Sequence, residues 1–245
     1  MKENKYDNPD FFTAYSQMSR SVNGLEGAGE WEMFKALLPD LNDKNILDVG
    51  CGFGWHCRYA RAQGASSVIG VDLSEKMIEK AKSMTDDSKI TYLQLAVEDI
   101  DFIEQQFDVV ISSLTFHYIE SFDRLCQKIY AYLNFGGSFV FSVEHPIFTS
   151  RPEQDWIYDN KGEPLYWPVD DYNIESVREA QFLGHKVTKY HRTLSTYINL
   201  LIQAGFTVNS VKETLPPNAL TKDKIEMKDE VRRPMFLMIS VTKNR

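Results

Sequence analysis

The residues able to do chemistry in this chain fall into a compact group and a scattered one. The compact group is Asp48-Val49-Gly50-Cys51-Gly52-Phe53-Gly54, in which glycine recurs at every second position. Glycine adopts backbone conformations closed to other residues and lets a ligand come close to the main chain. A second acid, Asp72, follows about 20 residues on, the distance at which an acid can accept hydrogen bonds from ribose hydroxyls. The scattered group is His117-Tyr118, Glu144-His145 and His191-Arg192. Imidazoles and carboxylates can take a proton from a reacting group near neutral pH. His117 and His145 are the candidate catalytic residues, and Tyr118, His191 and Arg192 join Tyr15, Trp156 and Trp167 as candidate substrate contacts.

These residues need a scaffold, and the hydrophobic pattern supplies one. Short apolar strands are expected at 45–49, 67–72, 90–95, 107–112 and 138–143, alternating with helices at 55–63, 75–84 and 122–133. Gly64 stands where a helix ends, and Ser74 where one begins. Strands alternating with helices imply a parallel, doubly wound sheet. In such sheets ligands bind outside the carboxyl ends of the strands. The glycine turn and the pairs His117-Tyr118 and Glu144-His145 all fall at those ends.

The rhythm stops at Glu144. Residues 146–192 are long, irregular and rich in large aromatics. Connections over ~15 residues inside a compact domain are usually functional or carry their own structure. Short antiparallel strands are expected there around 157–158 and 181–191, with a turn at Gly162. A helix at 194–204, capped by Thr193, and strands at 208–214 and 235–242 close the chain. The expected organisation is a single domain: an N-terminal arm (1–28) that packs on the body or covers the ligand, a cofactor-binding core (29–145), an acceptor lid (146–192) and a closing helix with two strands (193–245).

Composition excludes several classes. The net charge is −8 and no long basic run is present, the nearest being Arg232-Arg233, which makes a nucleic-acid partner unlikely. No apolar stretch approaches the ~20 residues of a membrane span. The cysteines Cys51, Cys57 and Cys126 are odd in number, against a disulfide framework and for a reducing, cytoplasmic setting. The histidines lack ligand spacing with cysteine or carboxylate, so no metal site is expected.

The glycine spacing narrows the ligand. A dinucleotide turn of the form G-x-G-x-x-G starting at Gly50 would need glycine where Trp55 stands. A nucleoside without phosphates requires only close backbone approach, which the three glycines permit. Here the chain resembles a known family. Ile46-Leu47-Asp48-Val49-Gly50-Cys51-Gly52-Phe53-Gly54 resembles the first motif of class I S-adenosylmethionine-dependent methyltransferases. The stretches at 68–77, 107–114 and 133–142 resemble the motifs of the second, fourth and fifth strands, in order and at the right spacing. The flavour is that of the small-molecule group that includes ubiquinone- and menaquinone-type enzymes.

The resemblance implies a mainly parallel, seven-stranded Rossmann-like sheet with an antiparallel terminal strand. It implies S-adenosylmethionine as methyl donor and S-adenosylhomocysteine as product. It places Gly50, Cys51 and Gly52 at the methionyl group, with Asp48 supporting the turn. Asp72 takes the ribose, and Leu73, Met77, Ala96, Val97 and Glu98 surround the adenine. Ser113 closes the amino end, and Arg20 pairs with the cofactor carboxylate. One position departs from the pattern: Ala96 stands where many relatives carry an acid, which leaves the adenine amino group to Glu98, Asp99 or a carbonyl. The expected activity is methyl transfer to a small molecule by a monomer or homodimer. The alternatives are a tRNA or protein methyltransferase and a cofactor-binding module without transfer activity.

Overall fold

The computed structural model describes residues 4–214 and 229–244. One sheet of seven strands runs through the molecule. It contains β1 (Asn45–Val49), β2 (Ser67–Asp72), β3 (Ile90–Gln94), β4 (Phe107–Ser113) and β5 (Leu133–Glu144), followed by two later strands, β10 (Phe206–Glu213) and β11 (Phe236–Lys243). The order is β10-β11-β5-β4-β1-β2-β3. The first five strands pair in parallel, and β11 is inserted antiparallel between β5 and β10. The expected antiparallel final strand is therefore present, second from the edge.

Helices cover both faces, and the strands alternate to serve both. Val109 and Ile111 of β4 pack with Trp31, Phe34, Cys57 and Ile78, from α3 (Trp31–Lys35), α4 (Trp55–Ala62) and α5 (Glu75–Ser83). Val110, between them, turns to the other face. There it joins Phe139, Phe141, Phe122 and Tyr197, the last two from α6 (Phe122–Tyr132) and α8 (Leu194–Gln203). Phe139 and Phe141 are fully buried, and truncating either to alanine should cost about 3–5 kcal/mol. Five of the seven β4 residues are buried, as a central parallel strand requires.

The parallel register puts Val49, Asp72, Ser113 and Glu144 at one edge of the sheet. Phe236 of β11 pairs with Glu144 and so begins at that same edge. Two further pieces gather there. The N-terminal arm folds as α1 (Pro9–Ser16), whose first turn is capped by Asn8 accepting from Asp10 N–H and Phe11 N–H, and α2 (Ser19–Val22). The segment after β5 forms α7 (Pro146–Thr149) and two hairpins, β6 (Ile157–Tyr158) with β7 (Pro164–Tyr166) and β8 (Val177–Phe182) with β9 (His185–Tyr190).

The expected strand over 181–191 is in fact the tip of β8, a turn and β9. Leu183 and Gly184 both have positive φ (50° and 77°), the signature of a tight hairpin turn. A leucine in the first turn position, where asparagine or aspartate is usual, hid the turn. The expected turn at Gly162, between β6 and β7, is present with φ 81°.

Candidate active site

The glycine turn is built around main-chain hydrogen bonds and two acids. Gly50 N–H and Cys51 N–H both donate to Val71 O, at 2.8 and 2.9 Å. Gly50, Gly52 and Gly54 have φ of 76°, 51° and 74°, the left-handed region that glycine adopts without strain. Asp72 receives Gly52 N–H on Oδ2 and Ser74 N–H on Oδ1, each at 2.9 Å. The acid thus ties the turn after β1 to the turn after β2. Burial pushes its carboxyl up to about 6 against those two hydrogen bonds. Asp48 lies beneath the turn, 1% exposed. It takes a hydrogen bond from Cys57 Sγ at 3.2 Å, while its Oδ1 has no partner among the described residues. Burial raises this carboxyl to about 7.

Three hollows share Gly50 as a lining residue. One, of about 80 Å³, is bounded by Leu73, Val97, Glu98, Tyr118 and Lys5. A second, of about 70 Å³, lies under Arg20, Glu30, Phe53 and Trp55. The largest, of about 370 Å³, runs from Gly52, Met77 and Ser113 to His117 and Glu144. A Cβ on Gly52 would meet nothing within 4 Å, so its backbone is open to this space; one on Gly50 would lie 2.0 Å from Thr115 Oγ1.

The arm covers the hollows and is fixed at its start. Asp7 accepts from Ser74 Oγ at 2.6 Å and from Lys76 N–H at 3.1 Å, at the first turn of α5. Tyr6 then packs edge-on against Tyr15 and Tyr118, with ring centroids 5.2 and 6.5 Å apart.

The far end of the large cavity is polar and comes from four places in the chain. Lys189 Nζ donates to Glu144 Oε1 at 2.6 Å and to Gln154 Oε1 at 2.8 Å, and Gln154 Nε2 donates to Glu144 Oε2 at 2.9 Å. Glu144 N–H donates to His117 Nδ1 at 3.4 Å. Burial depresses the imidazole to about 4, so it is neutral at physiological pH. Burial also opposes ionisation of Glu144, but His117, Lys189 and the hydrogen bonds from Lys189 and Gln154 outweigh it and hold the carboxyl below its usual value.

The structure brings most of the expected cofactor residues to the hollows. Gly50, Gly52, Cys51, Met77, Ser113, Leu73, Val97, Glu98 and Arg20 line them. Arg20 also donates to Glu30 Oε1 at 2.8 Å. Asp48 and Ala96 are buried behind the walls. Trp55, in place of a later glycine, packs its indole against Gly24 of the arm, where a Cβ would lie 2.8 Å from the ring.

The scattered group divides. His117, Tyr118 and Tyr15 reach the large cavity. His145 does not: its Nδ1 caps α7 through Ile147 N–H at 3.0 Å, and its Nε2 meets Glu213 Oε1 at 2.9 Å. His191 is held by Thr149 Oγ1 at 2.8 Å and by Tyr172 O at 2.9 Å. Arg192 donates to the carbonyls of Phe116, Ile119 and Glu120 and fastens the end of β9 to the loop after β4. Trp156 and Trp167 line a different cleft instead, which shares only Gln154 with the large cavity. Trp167 stacks on Phe148 at 5.2 Å, and Arg233 lies 3.9 Å over its ring. These five side chains are consumed by partners that the fold provides.

Lys189 and Gln154 went unnoticed in the sequence. For Lys189 a signal existed. It shares the inward face of β9 with buried Val187, and lysine is almost never fully buried unless paired. Gln154 sits in an irregular loop and carried no such signal. Among the described residues, no group of three or more His, Cys, Asp or Glu is placed to hold a metal ion. No described helix is long and apolar enough to cross a membrane.

A methyltransferase domain model matches residues 47–141. The structure of a Listeria monocytogenes protein described as an S-adenosylmethionine-dependent methyltransferase is 52% identical, with TM-score 0.83, over 89% of this chain and 99% of that one. The S-adenosylmethionine-dependent methyltransferase of Mesorhizobium loti is 41% identical, with TM-score 0.84, over 89% of this chain and 100% of that one. The N-demethylindolmycin N-methyltransferase of Streptomyces griseus is 25% identical over 243 residues, 93% of this chain and 97% of that protein. At 52% and 41% identity over nearly the whole length of the Listeria and Mesorhizobium structures, the match shows the family: the chain belongs to the S-adenosylmethionine-dependent methyltransferases.

Proposed function

We propose that this methyltransferase acts on a small-molecule acceptor, held in the cavity of about 370 Å³ between the glycine turn and the inserted hairpin. The observation that carries this reading is that two segments outside the sheet line that cavity. They contribute Tyr6, Tyr15 and Met18 from the arm and Gln181, Phe182 and Lys189 from the β8–β9 hairpin. The volume lies at the lower end for ligand pockets and must also admit part of the donor, so the acceptor is small. The segment at 146–192 acts as its lid. A net charge of −8 argues against a nucleic-acid acceptor. The Streptomyces griseus relative, similar along nearly its whole length, is named for a small-molecule substrate. Three free, buried cysteines fit a reducing compartment, and the cytoplasm is the proposed location.

The residues present fit the donor. The open backbone at Gly52 suits the close approach of a methionyl chain, with Gly50, Cys51 and Ser113 beside it and Arg20 toward its carboxylate. In this reading Asp72 takes the ribose, and Leu73, Met77, Val97 and Glu98 surround the adenine. Asp48 and Ala96 support these walls from behind. S-adenosylmethionine, when bound, supplies an electrophilic methyl group on a sulfonium whose leaving group is neutral. The chain's own work is then position and exclusion of water. His117 presents a neutral imidazole at the acceptor end.

The test is a single-turnover assay of purified protein with methyl-labelled S-adenosylmethionine and a fractionated metabolite pool. Label should move into a low-molecular-weight product. Transfer to tRNA or protein fractions alone, or binding of the donor with no transfer to any fraction, would overturn the reading.

A further inference from the structure

The cavity ends in a closed polar ring whose charges cancel. Lys189, Glu144 and Gln154 bond one another in a cycle of 2.6, 2.9 and 2.8 Å contacts. Lys189 is 1% exposed. An ammonium this deep is tolerable only with a carboxylate and further hydrogen bonds around it. Arg20, the other cation on the cavity wall, has its own carboxylate in Glu30 at 2.8 Å. His117 adds a donor and no charge. Its Nδ1 receives Glu144 N–H, which leaves the imidazole proton on Nε2, 4.0 Å from Glu144 Oε1.

The backbone is strained at two of the residues that line this space. Gln154 has φ 50° and Leu114 φ 54°. Non-glycine residues held there cost about 1–3 kcal/mol and persist only where their surroundings enforce it. At Gln154 the strained turn is what brings the amide into the ring. Phe148, Phe182 and Phe236 give the cavity aromatic walls.

We propose that the acceptor is an uncharged, ring-bearing molecule that presents an N–H or O–H to the Glu144 carboxylate, with Lys189 and Gln154 as the residues that position that carboxylate. The proposal rests on the reading of this cavity as the acceptor site. A carboxylate acceptor would find Lys189 paired with Glu144, and Arg20 engaged by Glu30 and the donor's own carboxylate, and would face Glu144. An ammonium ligand would find Glu144 already neutralised by Lys189. A neutral donor needs no counter-ion, because each carboxylate oxygen in the ring keeps a lone pair beyond the hydrogen bond it accepts.

The experiment titrates the full chain, saturated with S-adenosylhomocysteine, with four ring compounds of similar size at neutral pH: aniline, phenol, benzoate and benzylammonium. Aniline and phenol should bind at least about tenfold tighter than either ion, a difference of about 1.4 kcal/mol. Lys189→Met should move the preference toward benzylammonium, and Glu144→Gln toward benzoate, with circular dichroism confirming that each variant is folded. Three outcomes overturn the proposal: an ion that matches aniline in the unaltered protein, folded variants whose preferences do not move, or no binding of any probe while S-adenosylhomocysteine binds. Failure of S-adenosylhomocysteine itself to bind would instead overturn the proposed function.

Discussion

The two sides of the large cavity are made in different ways. The donor side is a contiguous turn of main chain, Gly50 to Gly54, held by Val71 O and Asp72. The acceptor side is a set of side chains, His117, Glu144, Gln154 and Lys189, drawn from the loop after β4, the end of β5, the inserted segment and β9. A site made of backbone is broken by adding an atom, whereas a site made of side chains is broken by removing a partner. Gly50→Ala should therefore have the largest effect. Its φ of 76° is strained for alanine, and its Cβ would lie 2.0 Å from Thr115 Oγ1. Calorimetry should show S-adenosylhomocysteine affinity falling by more than about a hundredfold, or ~2.7 kcal/mol. His117→Asn should change that affinity by less than about threefold. If both variants weakened the donor equally, the division between the two sides would be lost.

The acceptor side is tested by taking its ring apart. Lys189→Met leaves the Glu144 carboxylate buried and unpaired, which should cost about 3–5 kcal/mol in urea unfolding. Glu144→Gln should cost a similar amount by stranding Lys189. The double variant removes both charges and should recover at least about 2 kcal/mol of the summed loss. Simple additivity would mean that the pair is not coupled.

The same difference explains what could be read in advance. The donor side was legible because its requirements are local: glycine at alternate positions, an acid after the next strand, and apolar runs between helices. The sheet followed from the same periodicity. Ser113 and Met77 fell into place because strand ends and helix starts are fixed by short-range signals. The acceptor side depends on long-range closure. His117, at the end of β4, lines the cavity, yet His145, at the corresponding end of β5, caps α7 instead. Nothing local separates the two. Trp156 and Trp167 seemed to be cavity walls because they are large and aromatic. Arg233 and Phe148, which occupy Trp167, lie far away in sequence or across an irregular loop. The hairpin that delivers Lys189 was obscured by Leu183 in its turn.

Acid titration should distinguish the sides by sign. Asp48, beneath the donor turn, has its carboxyl raised to about 7 from 3.8 by burial. Between those values the unfolded chain releases a proton that the folded chain keeps, so stability falls as pH rises from about 4 to about 7. His117, on the acceptor side, is depressed to about 4 from 6.5. Between those values the unfolded chain binds a proton that the folded chain refuses, so stability falls as pH drops from about 6.5 to about 4. The contribution should amount to about 4 kcal/mol for Asp48 and about 3 kcal/mol for His117 across each window. Difference curves from urea unfolding should show Asp48→Asn flattening the first slope and His117→Asn the second. A variant that leaves its slope intact would mean that the residue does not carry it.

The smallest effect is expected outside both sides. Trp156 meets Trp167 edge-on at 5.4 Å and lies beneath the Arg232 guanidinium at 4.6 Å, in a cleft that shares only Gln154 with the large cavity. Contacts of this kind contribute about 0.5–1.5 kcal/mol each to folding. Trp156→Ala should therefore lower the unfolding free energy by about 1–3 kcal/mol. The affinity for aniline, with S-adenosylhomocysteine bound, should stay within about twofold, or ~0.4 kcal/mol. A tenfold loss of aniline affinity would show that the outer aromatic cluster sets the shape of the cavity through Phe148, and the acceptor side would then extend to the surface of the lid.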